Sequence, residues 1–382
     1  MLSAPAIAER LREASAARQR LRIVGAGTWL DAGRPVDAVQ TLSLSEHHGI
    51  VEYVPGDLTL TARAGTRLSD ITAATAANGQ WLPLAPWGGD DGTLGATVST
   101  ATAGPHAAAL GQPRDVVLGL EFVTGDGHVV RAGGRVVKNV AGFDLTRLLV
   151  GSWGTLGVIT EVSVRLRALP EQTRTVGVAV DTSHATLNEL AGTLRALPFV
   201  PLAAELLDTT ASVQLGIGDR ALLLVKLGGN EKSVKGQLEA LSVLGDRKDV
   251  EPSVWETLRS MEPAAAAVWR WSRLPSVFGE TWNAADRATR QLKGGALMHG
   301  NPARGVVRVL AATNAGVSAA ELTRAAIELQ AIGRGTVAIE RLPRDAWPLL
   351  EPTIAQDALS RALRDKYDPA RVLNTGILGG DT

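Results

Sequence analysis

Between Gly133 and Leu166 the chain reads GGRVVKNVAGFDLTRLLVGSWGTLGVITEVSVRL, and this stretch limits the possible folds more than any other. Gly151, Gly154 and Gly157 fall three apart, with Ser152 and Thr155 among them. The run from Val158 to Leu166 alternates apolar and polar residues, as a half-buried strand does. One tight turn between a short helix and a strand accounts for one or two of these glycines. The others, and the hydroxyls beside them, point to main-chain N–H and C=O groups that approach something flat and polar with no Cβ in the way.

Two further segments share that character. The loop Val24-Gly25-Ala26-Gly27-Thr28-Trp29 follows a short apolar strand, and Asp91 to Thr100 reads DGTLGATVST. A strand followed by G-x-G suggests a dinucleotide phosphate. The Rossmann fingerprint, however, needs a third glycine three places on, and position 30 is Leu. A Walker loop is absent. What remains is a run of N–H groups forming an anion-binding nest, with a plain turn as the alternative for this loop taken alone. Three loops rich in Gly, Thr and Ser within one domain-sized stretch point to one extended ligand. A diphosphate-bridged dinucleotide needs many backbone donors and little side-chain charge.

Composition closes off other classes. The 382 residues suffice for two domains, and 39 Lys plus Arg balance 39 Asp plus Glu. No global basic field exists to hold nucleic acid or anionic lipid. No apolar run is long enough for a bilayer. The first residues lack the apolar core of a secretory signal, and Glu9 and Glu13 argue against a transit peptide, so a helix running into a strand is expected there, in a cytoplasmic protein. With no cysteine, disulfides, thiol catalysis, a cysteinyl cofactor bond and a cysteine-ligated iron–sulfur cluster are excluded from this chain.

Local patterns give strands at 21–24, within 51–64 around Pro55-Gly56-Asp57, and within 116–132 around Asp126-Gly127. A helix is expected over 67–78, and 81–104 reads as loop. Past Pro170 the character changes. Ala221–Leu227 and Val306–Ala311 read as strands, and 319–331 and 357–367 as helices. This is a second α+β unit. Trp255, Trp269, Trp271 and Trp282 cluster in it and are expected in core or interface packing.

The order of these segments resembles the FAD-binding domain of the vanillyl-alcohol oxidase and p-cresol methylhydroxylase (PCMH) type. Within that superfamily it is most similar to the smaller flavin-binding subunits of bacterial glycolate oxidases. The residues that carry the resemblance are Gly25 to Thr28, Gly92-Thr93-Leu94-Gly95, Gly111 with Arg114-Asp115, Lys138 to Leu145, Gly151 to Glu161, and the closing Tyr367-Asp368-Pro369 and Leu373-Asn374-Thr375-Gly376. The resemblance implies an α+β fold: a two-subdomain PCMH-type FAD-binding domain over 1–170, a cap over 171–345, and a segment 346–382 returning to the FAD domain. By matched position, Gly25, Ala26, Gly27 and Thr28 meet the pyrophosphate. Thr93, Gly95, Ser99 and Thr100 line the pyrophosphate, ribityl chain and ring, and Gly151, Gly157, Val158 and Ile159 lie near the adenosine half. Val24, Trp29, Gly92, Leu94, Thr97, Arg114, Asp115, Asn139, Gly142, Asp144, Thr155 and Asn374 complete the expected cofactor set. Many members bond the flavin covalently through a His just after the first loop or through a Cys. Here Trp29 stands at the first position and Cys is absent, so FAD is expected to be non-covalent.

Oxidising a hydroxy acid needs a base for the hydroxyl proton and a cation for the carboxylate. A cation near the flavin would also help, and Lys138, Arg114 and Arg147 are candidates by their place among the loops. Of the six histidines, His128 sits in a hairpin and His47 and His48 are expected at the surface. His106 follows the second loop, and His299, in the cap, is the candidate for catalysis. The larger catalytic subunits share a His-Gly-x-Gly-Asn-x-His segment with metal-ligand spacing. Only His299-Gly300-Asn301 remains of it here, so no metal site is expected. The resemblance therefore implies a subunit of a glycolate-oxidase-like complex acting on a small hydroxy acid. An iron–sulfur subunit and a second flavin subunit would be its partners, and any membrane association would run through them. The alternatives are a stand-alone FAD-dependent oxidase or dehydrogenase and a FAD-stabilised structural subunit without turnover.

Overall fold

In the computed structural model the described residues are 2–134, 144–263, 266–313, 316–331, 335–350 and 358–379. Helix Ala4–Ala16 opens the chain, capped by Ser3, and buries Ile7, Ala8, Leu11 and Ala14 on one face. Strand Leu21–Val24 pairs in parallel with Gln40–Ser43. A five-stranded antiparallel sheet follows, in the spatial order Ile50–Val54, Thr59–Arg63, Val158–Arg165, Val117–Val123, Val129–Gly133. The alternation read in 158–166 is real: Val158, Val162 and Val164 are buried while Glu161, Ser163 and Arg165 are partly exposed. The hairpin turn falls at Asp126-Gly127, where Gly127 has φ +82°.

The loop expected over 81–104 contains a helix, Leu94–Thr100. Thr, Ser and Gly are poor helix formers, so the pattern reads as coil. Thr93 caps the helix, its Oγ1 accepting from Ala96 N at 3.4 Å, and burial of Leu94 and Val98 against the sheet overrides the weak propensity. His47 is also not a surface residue. It is buried, its Nδ1 2.7 Å from the Leu2 carbonyl oxygen.

A second apolar core is built on an eight-stranded antiparallel sheet, in the order Arg247–Asp249, Gln172–Ala179, Leu222–Gly229, Ala203–Leu207, Ala296–Asn301, Val306–Ala312, Ala266–Ser272, Thr336–Arg341. Its two faces differ. Leu223, Val225, Trp269, Trp271, Met298, Val307 and Val309 pack against helices His184–Ala196 and Phe278–Thr289, in one cluster with Trp282. The alternate residues Leu224, Val268, Leu297 and Leu310 face Trp87 and helix Val254–Ser260, which carries Trp255.

The end of the chain divides. Ala346, Trp347 and Leu350 pack in the second core, whereas Val372 and Leu373 return to the first. There Leu21 N donates to Val372 O (2.7 Å) and Asn374 N to Leu21 O (3.0 Å), extending the small parallel sheet. Helix Ala358–Tyr367 already sets Leu363 and Tyr367 against the first core, so the tail is back on it by Leu363. Among the described residues no helix is long and apolar enough to cross a membrane.

Candidate functional site

Three loops and the tail converge on one groove of about 110 Å³. Its walls include Val24 to Trp29 from the first loop; Thr93, Gly95, Ser99 and Thr100 from the second; Gly157, Val158 and Ile159 from the third; and Asn374. The first two loops touch closely. A Cβ on Gly25 would stand 2.4 Å from Thr93 Oγ1, so only glycine lets the loop lie against that residue. None of the backbone N–H groups of Gly25, Ala26, Gly27 and Thr28 finds an acceptor in the protein among the described residues. Four consecutive unpaired amides beside a strand end are suited to an anion such as a diphosphate.

Other expected cofactor residues are not brought to the groove. Leu94 is fully buried, and its N–H donates to Thr66 O (2.9 Å). Thr97 turns its hydroxyl back to Thr93 O (3.0 Å), and Gly92 accepts from Leu68 N. Arg114 and Asp115 lie in the short helix Pro113–Val116, where Asp115 caps Gln112 N (2.9 Å). Asp144 caps helix Leu145–Leu149 through Arg147 N (3.0 Å) and, like Arg147, is largely exposed. Gly151 donates its N–H to Val98 O, and Thr155 bonds Ser152 O (2.7 Å), so both shape the third loop from behind. Asn374, by contrast, does stand in the groove wall and works there as a clamp: its Oδ1 accepts from Ile23 N (2.8 Å) and its Nδ2 donates to Trp153 O (2.7 Å). Lys138, Asn139 and Gly142 lie outside the described residues.

The groove runs into a larger cavity of about 400 Å³; Trp29, Thr100, Trp153 and Ile377 line both. The far wall of the cavity is the eight-stranded sheet. There His299 stands opposite Arg308, and Arg308 opposite Arg270, at paired positions on three adjacent strands. Strands lie about 4.8 Å apart, so the three side chains form a row on one face. Like charges facing across a ladder repel unless compensated. Glu340 compensates both arginines, with Oε1 2.7 Å from Arg270 Nε and Oε2 2.6 Å from Arg308 Nη2. Glu262 adds a contact to Arg308 Nη2 at 2.7 Å. Burial pushes the Glu340 carboxyl up, but Arg308 and Arg270 prevail and hold it at about 2. Burial likewise opposes the Arg308 charge, and Glu340 and Glu262 overcome it, raising its pKa above the usual value.

His299 Nδ1 lies 3.1 Å from Glu205 Oε2 on the neighbouring strand, while its Nε2 is buried without a partner. Arg308 Nη1 and Trp29 Nε1 are in the same condition. Trp87 covers the first two, its ring centroid 4.4 Å from that of His299 and 5.0 Å from Arg308 Cζ. His106, behind the second loop, is not in the cavity wall. It is buried with Nε2 3.4 Å from Lys226 Nζ and its ring edge-on to Trp81. Desolvation first, then Lys226 and Arg259, lower its pKa to about 3.

Sequence reasoning missed Arg308, Arg270, Glu340, Glu205 and Trp87. Arg308 in VVRVLA and Arg270 in WRW did leave a signal: a charge in mid-strand between apolar neighbours.

An α+β fold with this amide-lined groove opening onto a polar cavity defines a dinucleotide-dependent flavoprotein, and comparison with known proteins agrees. The model of the FAD binding domain matches residues 3–133. Glycolate oxidase subunit GlcE of Escherichia coli is 36% identical over 276 residues, 71% of this chain and 73% of its own length. Glycolate oxidase subunit GlcD of Bacillus subtilis is 30% identical over 59% of this chain and 50% of its own. A D-lactate dehydrogenase of Archaeoglobus fulgidus is 31% identical over 50% of this chain and 42% of its own. Among solved structures, an alkyldihydroxyacetonephosphate synthase superposes with a TM-score of 0.69 over 96% of this chain and 74% of its own, at 16% identity, a likeness of fold. The chain belongs to the PCMH-type family of FAD-binding oxidoreductases that includes glycolate oxidase subunit GlcE, and FAD is its cofactor.

Proposed function

We propose that this chain is the flavin-binding subunit of a glycolate-oxidase-like complex and that a small 2-hydroxy acid is oxidised beside its FAD. The row His299, Arg308, Arg270 in the wall of a cavity continuous with the dinucleotide groove carries this reading. It offers a hydrogen-bonded imidazole and buried cations to a small anion that bears a hydroxyl. Residues 1–170 with the returning tail form the flavin unit, and the eight-stranded sheet with its helices forms the cap.

The groove residues fit FAD. The amides of Gly25 to Thr28 hold the diphosphate, and Thr93 and Ser99 add hydroxyls along the groove, while Thr100, whose hydroxyl donates to Ala96 O (2.8 Å), shapes its wall. FAD is bound without a covalent link, since Trp29 stands where a covalently attached His would and no cysteine is present. When bound, FAD supplies the hydride acceptor. Electrons leave through partners, a second flavin subunit and an iron–sulfur subunit, because no cysteine-ligated cluster is possible within this chain. The protein works in the cytoplasm and meets the membrane through those partners.

The test is the visible spectrum of the purified chain, alone and co-purified with its genomic neighbours, on anaerobic addition of glycolate or D-lactate. Bleaching only with partners present supports the subunit reading, and bleaching of the lone chain makes it self-sufficient. A flavin that no hydroxy acid reduces in the assembled complex defeats the reading.

A further inference from the structure

Buried polar atoms without partners are rare, and two of them meet under one indole at the cavity wall: His299 Nε2 and Arg308 Nη1. Every other polar atom of these two side chains is engaged. His299 Nδ1 faces Glu205, and Arg308 Nε and Nη2 face Glu340 and Glu262. The atoms left over are one imidazole nitrogen and one guanidinium N–H group, side by side on paired strand positions.

We propose that His299 and Arg308 form the subsite for a 2-hydroxycarboxylate, that Glu205 is the positioning residue for His299, and that Trp87 covers the pair until the substrate enters. This rests on the functional reading above and assigns its residues. Glu205 takes the Nδ1–H, which fixes the tautomer in which Nε2 carries a free lone pair. Arg308 Nη1 holds one carboxylate oxygen, and its immobile salt bridges keep the donor in place. The hydroxyl O–H then breaks and its proton passes to Nε2. Bound FAD would supply the acceptor for the hydride on the same carbon, so that the C–O bond becomes a carbonyl. A 2-hydroxy acid thus yields a 2-oxo acid, with two electrons delivered to the cofactor.

Trp87 sits between two anchors. Arg259 Nε donates to Pro86 O (3.1 Å), and Gly88 N donates to Arg259 O (2.8 Å). The backbone on both sides is held, so the subsite opens by rotation of the indole.

The tautomer is read by nitrogen NMR of the full chain with labelled histidine, His299→Asn locating the resonances. The expected spectrum shows protonated Nδ1 and bare Nε2, replaced by a tautomer mixture in Glu205→Ala. In the complex, Glu205→Ala and Arg308→Lys should slow bleaching by glycolate and D-lactate at least tenfold per bound FAD, and Arg308→Lys, which gives up part of the buried ion pairing to Glu340 and Glu262, should also lower Tm. Glu205→Asp should recover part of the Glu205→Ala loss. Oxalate should change the tryptophan fluorescence of the wild type and leave Trp87→Phe unaltered. If neither acid bleaches the wild-type complex, this subsite and the functional reading fall together. If the wild type bleaches while Glu205→Ala keeps the same rate, or if Nε2 carries the proton, the subsite falls and the functional reading stands. An oxalate response that survives in Trp87→Phe removes the cover.

Discussion

Replacing His106 should flatten the acid side of the stability profile. The imidazole is buried against Lys226, with Arg259 adding repulsion, and stays neutral down to about pH 3, while in the unfolded chain it titrates near 6.5. Its folded pKa is depressed, so the unfolded state binds the extra proton. The stability this residue supports is complete above pH 6.5 and drains away as the pH falls toward 3. At pH 5 the loss relative to pH 7.5 is about 2 kcal/mol. That figure hardly depends on how far below 4 the folded value lies. In His106→Gln the side chain is neutral at every pH, and its oxygen still accepts from Lys226. The measurement is chemical unfolding of both proteins at pH 7.5 and 5, with FAD saturating. Other groups cancel in the comparison. Asp208, raised to about 6 by burial, works in the opposite direction because its neutral form is favoured, and it is present in both proteins. An identical pH dependence in the two would show that His106 is not held neutral and would refute the reasoning.

Gly95→Ala should destabilise by about 1–3 kcal/mol and strip FAD, because its Cβ would stand 2.5 Å from Ala64 Cβ and 2.9 Å from Ala64 O, forcing helix Leu94–Thr100 off the sheet. Flavin content after gel filtration reports it. Asn374→Ala removes both clamp hydrogen bonds and leaves an alanine at φ +42°, so FAD affinity should fall in titration while the cap keeps its hydrogen-exchange protection. Glu262→Gln should cost about 3 kcal/mol or more, since Arg308 and Arg341 both lose a buried partner, whereas Asp31→Asn, at the half-exposed end of the same ion chain, should stay within about 1 kcal/mol by chemical unfolding.

The groove was legible in the sequence because its work is done by the backbone. Loops that pack backbone to backbone around a groove demand small residues, and that demand is written locally at Gly25, Gly95 and Gly157, where a Cβ would strike Thr93, Ala64 and Phe122. What could not be read locally was which residues of the second loop face inward. On helix Leu94–Thr100, the period of 3.6 turns Gly95, Ser99 and Thr100 to the groove and Leu94 and Val98 to the core, yet the segment reads as coil. The cavity was less legible still. His299, Arg308 and Arg270 are brought together only by strand pairing, and Glu340 comes from a fourth strand and Glu205 from a fifth. No spacing along the chain encodes that register. The Arg-in-strand signal was present, but its buried partners come from other strands.

The ion chain explains why a buried charged row is tolerated beside a cofactor groove. Arg308 leans on Glu262, Glu262 on Arg341 (2.9 Å), and Arg341 on Asp31, two residues beyond the first glycine loop. Gly33 N also donates to Glu340 O (2.9 Å), so the backbone after that loop is pinned to the strand that balances Arg308 and Arg270. A displacement of the first loop therefore moves the counter-ions of the cationic row. Each buried arginine costs free energy unless its partners are fixed, and the partners here are fixed by the segment that follows the unpaired amides. The link is structural, through Asp31 and Gly33, and it requires the groove and the cavity to be ordered together. A flavin-free protein should accordingly lose order at Glu340 and Arg308 as well as at Gly25 to Thr28, although among the described residues neither side chain is hydrogen-bonded to a groove residue.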